Sequence, residues 1–326
     1  MSVSARSARP ARSARPGRPA LRRRALVSAG LSAALALTLA ACGSSSQGSP
    51  SLPGTDHGAM PSAGASMPSP GGSGHEDPSM PGMDGMPGDD GLSDSLDGYR
   101  LTSSDAALPS GRPAAYRFAV TGPDGRPVTA FAVDQTERLH FYAIRSDLTG
   151  FQHLHPTMAE DGTWTASLST LAPGSWRMFA TFTPAGGPGG SKDFVLSRTV
   201  TVPGTSRTTT LPAAAGTTTV DGCTVTVQGD LTAGMEHPLT VRLTRNGEPV
   251  TDLQPYLGTY AHLTAFHAGD AAFAHLHPTT PASGDEGGPD LSFHAELPAP
   301  GNWRLFLQFR TAGRVHTAAL TLHVAG

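Results

Sequence analysis

The sequence predicts an all-β protein with two tandem β-sandwich domains, and three observations support this prediction. Short stretches of alternating apolar and polar residues recur along the chain, as in WRMFATF (176–182) and WRLFLQF (303–309), and such alternation is typical of half-buried strands. The Asp-Gly and Asn-Gly pairs in TGPDGRPV and TRNGEPV are signals of tight hairpin turns. Finally, no long stretch has the period of an amphipathic helix.

The two halves of the chain are copies of one another. Residues 122–156 align with residues 244–278 without a gap, so that His140 matches His262. After short gaps, APGSWRMF matches APGNWRLF. A duplication of this size indicates tandem domains rather than a solenoid, and about seven short strands per copy favour an immunoglobulin-like sandwich. The predicted boundaries are 98–203 for the first domain, 204–216 for a linker and 217–326 for the second domain.

Residues 1–41 are typical of a signal peptide rather than of a folded element. Eight arginines lie between Arg6 and Arg24, and the apolar run ALVSAGLSAALALTLA follows them. This run is shorter than the roughly 20 residues of a membrane-spanning helix and ends in small residues. LAAC resembles the bacterial lipoprotein box, in which Cys42 becomes the lipidated first residue; an ordinary signal peptide with a chance cysteine is the alternative. RRALV loosely resembles a twin-arginine signal, so export by the Sec or the Tat route stays open.

Removal of the signal peptide leaves an acidic chain. It takes away eight of the 23 Lys and Arg residues and none of the 26 Asp and Glu residues, so the net charge changes from −3 to about −11. This charge argues against nucleic acid as a partner and favours a cation. With Cys42 lipidated, Cys223 is the one cysteine left, which excludes an intramolecular disulfide. Its strand-like context, GCTVTVQ, indicates a small buried residue.

Residues 42–97 are predicted to form a disordered tether. Between 43 and 97 there are eight acidic residues, no Lys or Arg, and many Gly, Ser and Pro residues, a composition that cannot bury a core. Thioether and imidazole groups are nevertheless frequent, and they are ligands for copper. We expect the tether to capture metal, although a low-complexity spacer is the alternative. The candidate ligands are His57, Met60, Met67, His75, Met80, Met83 and Met86.

The motif HLHP occurs once in each copy, at 153–156 and at 275–278. Residues i and i+2 of a strand face the same side, so the two histidines of each motif point together. We expect a hairpin in which Tyr142 faces His153 and Thr264 faces His275. In that register the upstream histidine of each copy meets the second histidine of its motif. Three imidazoles would then converge in each domain and could hold copper or zinc. The predicted ligands are His140, His153 and His155 in the first domain and His262, His275 and His277 in the second.

Two further ligands are candidates. His316 begins the last strand and is predicted to point inward, and Asp193 lies near the equivalent place in the first copy. The alternative for all of these groups is a set of rim histidines that hydrogen-bond each other or a carbonyl. His294 alternates with apolar neighbours and is therefore predicted to face water.

The predicted sites do not indicate an enzyme, because neither a G-x-S-x-G nucleophile motif nor an HExxH motif occurs. HFYAIRSDLTGFQHLHPTM and PYLGTYAHLTAFHAGDAAFAHLHP resemble secreted actinobacterial proteins of the YtkA-like, heavy-metal-associated kind. The resemblance covers about 98–326 and implies immunoglobulin-like sandwiches that handle metal, with copper as the expected ion and zinc as the alternative.

We therefore expect an extracytoplasmic lipoprotein, anchored to the outer face of the cell membrane, that sequesters or delivers copper. Two rival functions stay open. One is a cell-surface module that binds a protein and whose histidines are incidental. The other is an accessory protein for copper-dependent redox chemistry. The sequence does not distinguish them.

Overall fold

The computed structural model describes residues 90–326, which lie within one compact unit. The signal peptide, Cys42 and the candidate metal ligands of the tether lie outside these residues and stay predictions. Within the described part of the chain, no helix is long and apolar enough to cross a bilayer.

The first domain is a sandwich of two antiparallel sheets, as predicted. One sheet has the strand order β1-β2-β3-β7-β6 and the other the order β5-β4-β8-β9. The apolar faces of the two sheets enclose a core that includes Tyr116, Phe118, Phe141 and Trp164. The strands are β1 (Ser95–Leu96), β2 (Tyr99–Thr102), β3 (Ala114–Thr121), β4 (His140–Arg145), β5 (Gln152–Leu154), β6 (Thr157–Met158), β7 (Trp164–Leu168), β8 (Gly174–Phe182) and β9 (Phe194–Val202).

The second domain repeats this architecture with one difference. Its strands follow the order β10-β11-β12-β16-β15-β14-β17-β18, because β15 pairs with β14 at its start and with β16 at its end. Cys223 is buried in the core of this domain, as predicted. The strands are β10 (Thr217–Val220), β11 (Cys223–Gln228), β12 (Glu236–Arg245), β13 (Glu248–Pro249), β14 (Ala261–His267), β15 (Phe273–Pro278), β16 (Asp290–Glu296), β17 (Gly301–Thr311) and β18 (Arg314–Val324).

The folded part begins before residue 98, where we predicted it to start. Ser95–Leu96 already forms a strand that pairs with β2. The carbonyl of Asp90 accepts a hydrogen bond from Phe273 N (2.7 Å), and Leu92 packs against the core of the second domain. The last eight residues of the predicted tether therefore belong to the fold, because backbone pairing and Leu92 anchor a segment whose composition is otherwise polar.

The Asn-Gly turn follows its signal in the sequence, whereas of the Asp-Gly pair in TGPDGRPV only Gly125 has positive φ. Asn246 and Gly247 both have positive φ, of 54° and 85°, which is the backbone geometry that an Asn-Gly turn favours. Between β4 and β5, Leu148 and Gly150 also have positive φ. A Cβ atom at Gly150 would lie 2.3 Å from Cη2 of Trp176, so the turn requires glycine at this position. This turn sets the start of β5, which carries His153.

The two domains pack against each other through a third apolar cluster that the sequence did not predict. Phe151 stacks on Phe306 with ring centroids 4.2 Å apart, and Phe273 contacts Phe179 at 5.4 Å. Phe151 corresponds to Phe273 in the repeat, and Phe179 corresponds to Phe306. The two contacts are therefore equivalent to each other with the domains exchanged, which is the property of a twofold-symmetric interface.

Candidate metal centre

The six histidines of the two HLHP hairpins lie together at the edge of the interface between the domains. Strand β4 is buried on both faces: Phe141 and Ala143 face the sandwich core, whereas Tyr142 and Ile144 face the other domain. His140 is on the same face as Tyr142. The histidine face of each hairpin therefore points at the partner domain rather than into its own sandwich.

The first hairpin has the predicted register. Tyr142 pairs with His153 across β4 and β5, and their rings stack with centroids 4.4 Å apart. Strand β5 ends at Leu154, so the predicted strand pairing of His140 with His155 is not formed. Their rings nevertheless contact each other at 5.1 Å, because His155 follows the strand directly.

His140, His153 and His155 form the group that can hold a metal ion, which we call the histidine triad. One ring nitrogen from each lies within 4.8 Å of the other two, and this is the one such group found among residues 90–326. Nδ1 of His140 is 3.1 Å from Nε2 of His153. Two nitrogens bonded to one zinc ion at about 2.0–2.1 Å would lie roughly 3.0–3.4 Å apart, so this separation fits a shared ion.

The outer ring nitrogens of His140 and His153 are hydrogen-bond donors. Nε2 of His140 donates to the carbonyl of Asp134 (3.1 Å). Nδ1 of His153 donates to Oε1 of Gln308 in the second domain (2.6 Å). The Gln308 amide nitrogen donates in turn to Oγ1 of Thr317 at the longer distance of 3.5 Å. Outer partners of this kind fix the tautomer of metal-binding histidines.

These tautomers leave lone pairs on the two nitrogens that face each other. A neutral imidazole has one protonated nitrogen and one lone pair, so Nδ1 of His140 and Nε2 of His153 both present lone pairs across 3.1 Å. No proton of the neutral rings lies between them. Nε2 of His155 is buried and has no hydrogen-bond partner, while its Nδ1 lies 3.8 Å from a carboxylate oxygen of Glu137. The two facing nitrogens of His140 and His153 thus lack a hydrogen-bond donor, as a shared cation would require.

Burial keeps the triad neutral. Desolvation lowers the pKa of His140, lowers the pKa of His153 well below its ordinary value with a contribution from neighbouring His140, and lowers the pKa of His155 to about 4. Neutral imidazole is the form that binds metal. At neutral pH the three rings need not lose a proton before binding an ion.

The second set of histidines does not form an equivalent site. Nδ1 of His262 donates to Oε1 of Gln135 (2.7 Å), and its Nε2 accepts a hydrogen bond from the Tyr142 hydroxyl (2.9 Å). The amide nitrogen of Gln135 donates to Nε2 of His275 (3.3 Å). Both nitrogens of His262 are therefore engaged by the first domain. The repeat predicts identical sites, but the residues equivalent to Gln135 and Tyr142 are Leu257 and Thr264, which cannot satisfy the first triad in the same way.

The strand pairing of the second hairpin matches the prediction at Thr264 and departs from it further along the strand, as in the first hairpin. Thr264 pairs with His275, as predicted. His262, however, pairs with Gln308 on β17, and His277 pairs with His294 on β16. The predicted opposition of His262 and His277 is not formed, because β15 turns away from β14 to join the other sheet.

Neither of the two further candidate ligands reaches the triad. Nδ1 of His316 lies 2.8 Å from a carboxylate oxygen of Asp221, and Nε2 lies 3.1 Å from Oγ1 of Thr311. Both nitrogens of His316 are thus engaged within the second domain. Asp193 accepts a hydrogen bond from the Thr183 hydroxyl and lines a cavity that His140 also lines.

The sequence did not assign a role in the site to Gln135, Gln308 or Tyr142, which connect the two sets of histidines. Gln308 is 155 positions from the ring that it contacts, so no local pattern identifies it. The sequence contains one signal for this arrangement. HFYAI and AHLTAF are mostly apolar and do not alternate with charged residues, which is typical of strands covered on both faces.

The chain belongs to the family described as "Domain of unknown function (DUF8832)", whose model matches residues 94–197 and again residues 218–326. No curated protein matches the chain. The family match does not bear on the resemblance to YtkA-like proteins, which stays a prediction.

Solved structures that match include the Escherichia coli adhesin FdeC, with 16% identity over 71% of this chain and 65% of that chain and a TM-score of 0.23. They also include fibronectin(III)-like modules of Clostridium thermocellum CbhA, with 10% identity, 70% and 94% coverage and a TM-score of 0.18. Domains 4 and 5 of the S-layer protein SbsC match with 11% identity, 70% and 98% coverage and a TM-score of 0.21. Matches with TM-scores this low do not define the fold, which follows from the strand pairing described above.

Proposed function

We propose that this protein is an extracytoplasmic, membrane-anchored lipoprotein that binds a transition-metal ion, copper or alternatively zinc, to sequester or deliver it. The observation that supports this most directly is the 3.1 Å approach of Nδ1 of His140 and Nε2 of His153, with Asp134 and Gln308 holding the protons on the outer nitrogens. The buried Nε2 of His155, which has no hydrogen-bond partner, would provide the third nitrogen ligand.

The chemistry of the donor set fits copper or zinc. Three neutral imidazoles suit Cu(II) and Zn(II), whereas calcium and magnesium prefer oxygen ligands. The remaining coordination position would be open to solvent or to a ligand on another protein, because His155 and Glu137 are partly exposed. A site with three protein ligands and an open position can pass its ion on, which suits delivery as well as storage.

The N-terminal part of the proposal rests on the sequence. Lipidation of Cys42 would hold the folded domains at the outer membrane face, and the tether from His57 to Met86 would collect ions close to them. Thioethers select Cu(I), so the tether and the triad would prefer different oxidation states of copper. We assign no catalytic role to any residue.

Metal titration of the full chain tests the triad separately from the tether. Zinc is the sharper probe, because methionine thioethers are poor ligands for it. The wild-type protein should bind one zinc ion that His153→Ala and His155→Ala each fail to hold, whereas His323→Ala, which removes an exposed histidine near Asn302, should bind as wild type. Equal zinc binding by all four proteins would refute the triad as the site and would favour incidental histidines. The same titration with Cu(I) should retain the sites in the tether when the triad is mutated.

A further inference from the structure

An open cavity of about 570 Å³ lies beside the triad and is lined by both domains. His140 of the triad contributes to its wall, together with Glu137 and Asp193 of the first domain. The second domain contributes His275, His277 and His294. The cavity therefore connects solvent to one of the proposed metal ligands.

The wall of this cavity is strongly acidic. Seven of its lining residues carry a carboxyl group, among them Asp134, Asp193 and Glu236, whereas one, Arg138, carries a permanent positive charge. A concave surface with charges of one sign concentrates ions of the other sign and raises their rate of association. The cavity would thus attract the cation that the triad is proposed to hold.

Four histidines of the second domain form a line that runs from the buried His262 to the wall of the cavity. The rings of His262 and His275 are 4.6 Å apart, and those of His275 and His277 are 4.7 Å apart. His277 pairs with His294 across β15 and β16, and Nδ1 of His294 lies 2.6 Å from a carboxylate oxygen of Glu236. Exposed imidazoles at the outer end are thereby linked to buried imidazoles beside the triad.

This line is too open to retain an ion. In the described part of the chain, only the triad brings three ligand atoms within 4.8 Å of one another. An ion at His277, His294 or Glu236 would be held by fewer protein ligands and would exchange rapidly. Such a contact favours transfer over storage.

From these observations we propose that the cavity is the route by which a hydrated divalent cation reaches the triad, and that His277, His294 and Glu236 make the first contact with it. This inference rests on the proposed metal-binding function. It assigns to His277, His294 and Glu236 a role in the rate of metal uptake, whereas the triad determines the affinity.

Stopped-flow uptake of Zn(II) by the metal-free full chain, in competition with a chromophoric chelator, tests this route. The variant His277→Ala/His294→Ala and the variant Glu236→Gln/Glu296→Gln should each lower the association rate about threefold to tenfold, since steering of this kind contributes factors of 10 to 10³. The carboxylate variant should also weaken the dependence of the rate on ionic strength. Both variants should still bind the zinc ion that depends on His153.

Two control variants make the comparison specific. His323→Ala and Glu248→Gln change an exposed histidine and an exposed carboxylate outside the cavity, and they should leave the rate within twofold of wild type. Unchanged rates in both cavity variants would overturn the proposed route. Loss of bound zinc in these variants would overturn it as well, because it would make His277 and His294 retaining ligands. Failure of the wild-type chain to bind zinc would instead refute the triad itself.

Discussion

Replacement of Gln308 by methionine tests whether the second domain helps to build the metal site of the first. Methionine has the same length and no amide oxygen, so Nδ1–H of His153 loses the acceptor that lies 2.6 Å away. Gln308 is 7% exposed, and water therefore cannot readily replace the amide. A buried donor left without a partner costs about 1–3 kcal/mol, and loss of such an outer partner typically lowers metal affinity about 10–100-fold. At 25 °C this range corresponds to about 1.4–2.7 kcal/mol of binding free energy.

The assay is competition for Zn(II) between the full chain and a chelator of known affinity, read beside denaturant unfolding of the metal-free protein. Thr317→Ala is the matched control, because it removes the other, longer hydrogen bond of the Gln308 amide (3.5 Å) and leaves the acceptor for His153 in place. We expect its zinc affinity to stay within about threefold of wild type. If Gln308→Met folds and binds zinc as tightly as wild type, then Gln308 does not fix the tautomer of His153 and our account of the facing lone pairs is wrong.

Three further predictions concern stability. Lowering the pH should destabilise the metal-free protein, because burial lowers the pKa of His140, His153 and His155 and the unfolded chain therefore binds protons first. The free energy of unfolding, measured by denaturant titration at several pH values, should be highest above about pH 6.5 and should fall as the pH is lowered toward about 4. Gly150→Ala should lower the free energy of unfolding by more than the roughly 1–3 kcal/mol of a residue strained at positive φ, because its Cβ would also meet Trp176. The control is Gly125→Ala, which has φ of 74° and open space around it and should therefore show the backbone cost alone. Phe306→Ala should cost about 3–5 kcal/mol and should separate the unfolding of the two domains in calorimetry; an unaltered single transition would contradict the interface.

Local patterns in the sequence were sufficient to predict the sandwich class, the Asn-Gly turn and the register of the first hairpin. In β8 and β17 every second side chain, from Trp176 to Phe182 and from Trp303 to Phe309, faces the sandwich core, and Asn246-Gly247 has the positive φ values that its turn needs. The pairing of Tyr142 with His153 follows because a shift of one residue would move every side chain to the other face. These features depend on neighbours within a few residues.

The parts that could not be predicted depend on contacts between distant segments. Three imidazoles were expected to converge in each domain, but the histidine face of each hairpin is covered by the other domain, and alternation within one copy does not reveal this cover. Gln135 and Gln308 carry no motif that links them to His262 or His153. The divergence of the two copies at Tyr142 and Thr264 was visible in the alignment, but its effect appears only when the domains are placed against each other.

The paired phenylalanine contacts, Phe151 with Phe306 and Phe273 with Phe179, have a consequence for the origin of the chain. An interface in which each half presents the same surface is what a homodimer of a single ancestral domain would form. Gene fusion would have preserved that contact and released the two halves from identity. After fusion, one copy could keep a site with free lone pairs while the other acquired residues that support it. The two subunits of a homodimer cannot diverge in this way, because one gene encodes both.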